Sequence, residues 1–366
     1  MPGSGKTRRE FVFYLLPEFT LLAFASAVEA LRLANALVGH DAYTWRLVSV
    51  DGVSAEASCG ISLNSDSTVE AERRVAGGRG KPFMVVVCGG RNVERYATRA
   101  GEAWLRECRQ RQIAIASLCT GAHVLAEARL LDDKRCVIHW ENYPSFTERF
   151  AGAAVRTGLF EIDGAIHTCA GGAASFDMML HLIRIDFGEA VVAGVCEQAI
   201  VDRIRSSEDL QRTPFAPRAV KHHPVVARLI ERMQETLADP LPVEALMSDI
   251  GLTRRQIERL FRNEFGQSPA RFYMKLRLER ARLLLQQTKK PIVEIAVACG
   301  FSSASHFSKS YRDAYGGPQG KARRPPERSA GGSGAAGNDE LAGSAVCLGR
   351  QDMHRGRNDQ SHGKQR

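Results

Sequence analysis

The apolar run IAIASL at residues 113–118 passes directly into the helix-like text CTGAHVLAEARLL. A short run of that kind reads as a strand buried on both faces, and such strands belong to parallel sheets covered by helices. The rest of the first half keeps the same rhythm. Phe11 to Leu16 is an apolar run ended by Pro17, and Leu21 to Leu37 has helical periodicity. Tyr43 to Val50 alternates as a strand does, and PFMVVVCGG is a β-branched run closed by Gly89 and Gly90 before the helix-like WLRECRQRQ. Strand alternating with helix predicts a doubly wound, mostly parallel α/β sheet, whose ligands bind at the carboxyl ends of the strands. Cys119 stands at such an end, on a sharp elbow whose following helix N-terminus would favour anions and a lowered thiol pKa.

At 366 residues the chain is too long for one ordinary core and fits two domains. The predicted order is a flexible N-terminus (1–10), the α/β domain (11–205), a linker (206–224), an all-α domain (225–317) and a disordered tail (318–366). The linker text SSEDLQRTPFAPRAVKHHP holds three prolines and little periodicity, and the tail beginning GGPQGKARRPPERSAGGSG has too few apolar residues to build a core. Charge divides along the same lines. Of the net +9, residues 1–240 carry 28 Lys/Arg against 29 Asp/Glu, whereas residues 241–316 carry 13 against 7. A compact basic segment points to a polyanion partner. Nine cysteines at irregular spacing, with no C-x-x-C pair, read as reduced thiols in a cytoplasm. No apolar run reaches membrane-spanning length in this reading, because Pro17, Glu18 and Glu29 interrupt the most apolar stretch.

The basic segment contains one grammar twice. In LPVEALMSDIGLTRRQIERLFRNEFG, Leu246 and Ile250 lie on one helix face, Gly251 permits a left-handed turn, and Thr253 caps a second helix with Gln256 as reciprocal partner. Ile257, Leu260 and Phe261 then point inward. In PIVEIAVACGFSSASHFSKSYRDAYG the parts are Ile295, Ala296 and Cys299 before Gly300, a cap at Ser302 or Ser303, and Phe307 and Tyr311 inward. The capping positions stand 50 residues apart, joined by SPARFYMKLRLERARLLLQQTKKP, a long helix able to hold the two units at the separation of successive major grooves.

The combination of RRQIERLFRNEFGQSPARF, LRLERARLLL and EIAVACGFSSASHFSKSYRDAYG resembles the AraC/XylS regulators over roughly residues 225–316. The resemblance implies a sequence-specific DNA-binding transcription regulator, an activator, whose partners are promoter DNA and RNA polymerase. It places Arg255, Glu258 and Arg259 of the first unit, and Ala304, Ser305, Ser308 and Lys309 of the second, toward base edges. Arg254, Arg262, Lys275 and Arg312 would grip phosphates or lie on a solvated face. Two departures stand out. Met247 replaces a small alanine, and GGPQGKARRPP replaces the family's Ser-Pro start and Tyr-Arg end of a last helix.

The first half resembles the PfpI-like branch of the class I glutamine amidotransferase-like proteins over about residues 11–195. The residues that carry the likeness are VVVCGG, SLCTGAHVLAEARLL, the IHW segment with His139, and EIDGAIHTCAGGAASFDMML. The joint architecture resembles the GlxA-like regulators, and LLAFASAVEALRLAN and HLIRIDFGEA look like the members that sense arginine, carnitine or glycine betaine. Peptidase- and deglycase-like relatives carry a glutamate one turn into the first helix, where this chain has Ala23. The implied role is therefore a non-catalytic ligand pocket formed by Phe19, Gly90, Cys119, Thr120, His139, Trp140 and Glu161, with Tyr143 nearby. A cysteine-dependent hydrolase or amidase with an attached DNA-binding module is the alternative. Aromatics plus one carboxylate suit a quaternary ammonium or a basic amino acid, with the ligand's own carboxylate on the elbow helix. A homodimer formed through the α/β domain is expected. No metal, cofactor or membrane partner is implied.

Overall fold

All five residues of the strand Met84–Cys88 are buried, as expected for a strand covered on both faces. The structure, a computed structural model, describes residues 8–75, 81–211, 223–248 and 250–323. Its first half contains β1 (Arg9–Leu15), β2 (Tyr43–Ser49), the hairpin β3 (Ser54–Glu56) and β4 (Ser62–Asn64), β5 (Ser67–Thr68), β6 (Met84–Cys88) and β7 (Ala114–Leu118). These are followed by β8 (Arg135–Val137), β9 (Ala154–Arg156), β10 (Phe160–Asp163) and β11 (Ile166–Cys169). Seven strands make one sheet in the order β10-β11-β7-β6-β1-β2-β5, parallel throughout except where β10 pairs antiparallel with β11. This is the doubly wound α/β fold that the alternating pattern predicts.

Helices cover both faces because β1 alternates between two cores. Phe11, Phe13 and Leu15 face one layer, which includes α1 (Leu21–Val38), α7 (Ala174–Phe187) and α8 (Glu189–Ala199). Val12, Tyr14 and Leu16 face the other, built on α2 (Val69–Val75), α3 (Val93–Tyr96), α4 (Arg99–Gln110), α5 (Ala122–Glu127) and α6 (Tyr143–Arg149). Among the described residues α1 is long and apolar enough to cross a membrane, against the expectation that no segment reaches that length. Its Ala23, Ala27, Ala30, Leu31 and Ala34 are buried in the first core, so its apolarity is that of a sheet-covering helix.

The second half is helical: α9 (Pro224–Glu235), α10 (Val243–Leu246), α11 (Arg254–Phe265), α12 (Pro269–Gln287), α13 (Ile292–Ala298) and α14 (Ala304–Tyr315). Helix α12 belongs to two cores. Phe272, Tyr273 and Leu276 pack with Ile257 and Phe261 of the first unit, whereas Leu278, Ala281, Leu284 and Leu285 pack with Ile295, Phe307 and Tyr311 of the second.

Several boundaries differ from the sequence reading. Arg9, read as part of a flexible N-terminus, pairs with Tyr43 in the sheet and its guanidinium lies 2.7 Å from Asp186, while residues 1–7 lie outside the described residues. The start of the expected linker belongs to the α/β domain, because Gln211 Nε2 donates to the carbonyls of Ile138 and Gly158. Residues 212–222 and 324–366 lie outside the described residues, and with them most of the expected linker and tail. The stretch Gln319–Arg323, read as tail, forms a 3-10 turn with Gln319 buried. Finally, α10 is a single turn, shorter than the helix expected through Ile250. Met247 and Ile250 make tighter bonds to the carbonyls of Glu244 and Met247, respectively.

Candidate functional site

Cys119 sits where β7 ends and a 3-10 turn, Cys119–Gly121, leads into α5. Its φ of 58° is left-handed, a conformation that costs a non-glycine residue about 1–2 kcal/mol and persists only when the surroundings impose it. The surroundings are three backbone turns at the ends of adjacent strands. A Cβ on Gly171 would lie 2.6 Å from the Cβ of Cys119, one on Gly89 2.3 Å from the nitrogen of Gly121, and one on Gly90 1.9 Å from the carbonyl oxygen of Glu18. Glycine at these places lets the chains meet at the elbow.

The side chain that hydrogen-bonds to the sulfur is neutral. The Thr20 hydroxyl donates to Cys119 Sγ at 3.4 Å, and the Thr120 hydroxyl donates to the Gly90 carbonyl at 2.7 Å. Burial pushes the Cys119 thiol pKa up, opposed by the Thr20 and Thr120 hydrogen bonds and reinforced by the charge of Glu141. The sequence reading expected a helix terminus to lower it. Desolvation wins because the thiol is almost wholly covered and the structure following it opens as a 3-10 turn rather than a long helix. The neighbouring thiols Cys88 and Cys169, at the ends of β6 and β11, are also buried and raised, Cys169 to about 12.

The wall beside the elbow follows β8. His139 is half-buried, its pKa lowered by desolvation and partly restored by Glu141, whose carboxylate lies 3.8 Å from Nδ1. The rings of His139 and Trp140 lie 5.6 Å apart at a tilt of 38°. Gln211 holds this turn by accepting from the Trp140 N–H at 2.8 Å.

Of the expected pocket residues, the structure groups Gly90, Cys119 and Thr120 at the elbow. His139 and Trp140 form the adjoining turn, where the carboxylate whose charge reaches both Cys119 and His139 is Glu141. Two expectations need correction. Phe19 has no exposed surface and stacks edge-on with Phe24 inside the core, because Glu18 adopts φ 59° and turns the next residue inward. Glu161 pairs with Arg135 at 2.9 Å, and Arg135 stands on β8, in the separate two-stranded sheet β8-β9. Sequence reasoning missed Thr20, Glu141 and Gly171. Glu141 was findable as a carboxylate two residues from His139.

In the helical half, Thr253 and Gln256 form the full capping box, and Ser303 accepts from the His306 N–H. Gly251 and Gly300 take φ of 69° and 72° in the two turns. Arg255, Arg259 and Arg262 are exposed along α11, while Arg254 bonds to Glu258 and also pairs with Glu244. On α14 the residues Ala304, Ser305, Ser308, Lys309 and Arg312 line one shallow depression together with Asp313. Ser308 accepts a 2.5 Å bond from Gln319, so the segment after α14 reaches this face. Sequence analysis overlooked Arg277, whose buried guanidinium donates to the carbonyls of Cys299 and Gly300 and stacks 4.3 Å over Phe301. Met247 is accommodated half-buried beside the first core.

Two family models match. The DJ-1/PfpI family covers residues 12–185, and a helix-turn-helix domain covers 246–324. The HTH-type transcriptional regulator GbdR of Pseudomonas aeruginosa is 38% identical over 318 residues, spanning 87% of this chain and 85% of that protein. This chain belongs to the AraC-type transcription regulators that carry a DJ-1/PfpI domain. A second relative, the HTH-type transcriptional regulator GlxA of Rhizobium meliloti, is 34% identical over 88% of this chain and 99% of its own length. The crystal structure of an AraC family transcriptional regulator from Pseudomonas putida is also similar, at 26% identity and a TM-score of 0.45, covering 52% of this chain and 99% of that one. As an AraC-type regulator the chain binds DNA through its helix-turn-helix region, and the exposed faces of α11 and α14 are where the family resemblance places base contact.

Proposed function

We propose that the protein is a transcription activator, acting as a cytoplasmic homodimer, whose DJ-1/PfpI domain binds a small amine or amino acid and performs no catalysis. The observation that carries the sensing reading is the chemistry at Cys119. The thiol is buried, its pKa is raised, and its described side-chain partner is the hydroxyl of Thr20. Catalysis by sulfur needs a thiolate and a base or acid to make it. At the position where peptidase-like relatives keep a glutamate, Ala23 is buried in the core. The effector's cationic end sits against Trp140 and His139, with Glu141 as counter-charge in place of Glu161. Arg255 and Arg259 read base edges, Ser305 and Lys309 do so in the second unit, and RNA polymerase is the further partner of an activator.

Isothermal titration of the full chain with glycine betaine, carnitine and arginine tests the pocket. Binding that weakens in Trp140→Ala and Glu141→Gln supports it, and no heat from any of the three removes it. Arg259→Ala should lower affinity for a selected duplex by about 1–3 kcal/mol and relax its sequence preference. Affinity unchanged in that variant would remove Arg259 as a reader. The strained φ of Cys119 favours a second reading, a cysteine hydrolase or amidase. Turnover of an amide substrate that disappears in Cys119→Ala would establish that reading against ours.

A further inference from the structure

The short stretch from His139 to Arg149 has two sides. Its first residues adjoin the Cys119 elbow, close enough for the charge of Glu141 to reach the thiol, and its continuation, α6, lies against α12 of the DNA-reading half. Glu141 takes part in both. Its carboxylate faces His139 at 3.8 Å, while its backbone carbonyl accepts from Gln287 Nε2 at 2.8 Å. The same Gln287 side chain accepts from the Ser145 hydroxyl at 2.7 Å, so the last residue of α12 is fixed at two points of the pocket-bearing segment. One turn further along α6, Glu148 is paired with Lys290 and lies 3.7 Å from Arg280.

The Glu148 cluster is incompletely satisfied. Glu148 is 16% exposed, yet its Oε1 and the Nε of Arg280 have no hydrogen-bond partner among the described residues. A partly desolvated ionic cluster with unmet hydrogen bonds adds little net stability, because desolvation offsets much of the attraction. Opening of the Glu148 joint would leave both reading faces as they are, since Arg255, Arg259, Ser305 and Lys309 are already exposed in the docked arrangement.

We propose that the segment 139–149 is the coupling element of the regulator: occupancy of the elbow pocket moves the Glu141 turn, and through Gln287 and the Glu148 joint changes how α12 is held. The function of the joint is orientation of the DNA-reading half rather than occlusion of it. This rests on the proposed sensing role of the elbow pocket. By linkage the coupling is reciprocal, so DNA bound at α11 and α14 must alter residues 139–149 even when no effector is present.

The test uses the full chain, a duplex selected by that chain from a random pool, and amide hydrogen exchange. In the wild type, duplex is expected to change exchange of residues 139–149 by about fivefold or more, the lower end of ordinary allosteric coupling. In Glu148→Gln, and separately in Gln287→Ala, the change should fall below about twofold while melting temperature and affinity for the isolated duplex stay near wild type. Wild-type exchange at 139–149 indifferent to duplex overturns the proposal, as does a wild-type response in both variants. Adding glycine betaine separates the two hypotheses. If it does not bind, but duplex still reaches 139–149 through Glu148, the joint stands and the effector assignment fails.

Discussion

Gly171 and Gly172 are consecutive, both left-handed, and surrounded differently, which makes the elbow testable by a pair of alanines. Gly172 has φ of 58° and open space where a Cβ would stand, whereas Gly171 has φ of 88° and a Cβ there would come within 2.6 Å of Cys119 Cβ and 2.8 Å of its Cα. Gly172→Ala therefore carries backbone strain alone, about 1 kcal/mol. Gly171→Ala carries that strain and a collision with backbone that cannot rotate away, a further ~1–3 kcal/mol of overpacking. For a domain of this size about 2–4 °C of melting temperature accompanies each kcal/mol. Gly172→Ala should thus lower the melting of the α/β domain by about 2–4 °C and Gly171→Ala by roughly 4–16 °C. Differential scanning calorimetry on both variants reads this directly. Equal shifts would mean that the turn after β11 does not press on Cys119, and the account of why a cysteine holds a left-handed conformation would be wrong.

Acid should destabilise the α/β domain through two histidines. Burial lowers His123 and His167 to about 4. Although His123 Nε2 is 3.4 Å from Glu127, Arg149 already neutralises that carboxylate. As pH falls from about 6.5 toward 4 the unfolded chain takes protons that the fold refuses, so stability falls in that window by roughly 2 kcal/mol per histidine at pH 5. Urea unfolding of His167→Asn at pH 7 and 5 should show a smaller pH-dependent loss than wild type, and an identical loss would refute the assignment. Thr253→Ala should cost the helical half about 1 kcal/mol, and more than Ser303→Ala, because the Thr253 box is reciprocal. The opposite ranking in chemical denaturation would count against the cap geometry. Iodoacetamide at neutral pH should label exposed Cys59 well before buried Cys119, and preferential labelling of Cys119 would contradict the raised thiol pKa.

Central strands were readable because burial on both faces leaves an uninterrupted apolar run, as in β6 and β7. The three-residue strands β3, β4, β8 and β9 carry no such signal, and their pairing depends on where longer elements bring them. The same distinction governs the site. Cys119 was legible because a strand meets a helix there without an intervening loop. The partner of Glu161 is Arg135, 26 residues away on a strand outside the seven-stranded sheet, and nothing local in the sequence signals that pairing. Phe19 misled for a local reason. Aromatic residues after a first strand often line a site, but one left-handed residue, Glu18, turns this ring into the core. Caps and turns of the helical half needed only local chemistry, and Thr253, Gly251, Ser303 and Gly300 are where the sequence places them.

The position of α12 decides what kind of regulation the chain can support. Because its two halves complete two different cores, and Arg277 ties its middle to the turn of the second unit, changing the spacing of α11 and α14 would require breaking packed apolar contacts. The turn at Gly300 adds to this: a Cβ there would lie 2.4 Å from Pro240 and 2.8 Å from the Leu237 carbonyl oxygen, so the second unit abuts the segment leading into the first. Against that brace, the described polar contacts to the α/β domain are the Gln287 bonds to Glu141 and Ser145 and the ion pairs of Glu148. Under the proposed coupling, reorienting the DNA-reading half as a unit therefore breaks fewer packed apolar contacts than moving one reading helix relative to the other. Damage to the brace, as in Arg277→Met, should then weaken DNA binding whether or not effector is present, whereas damage at Glu148 should spare binding and abolish only its response.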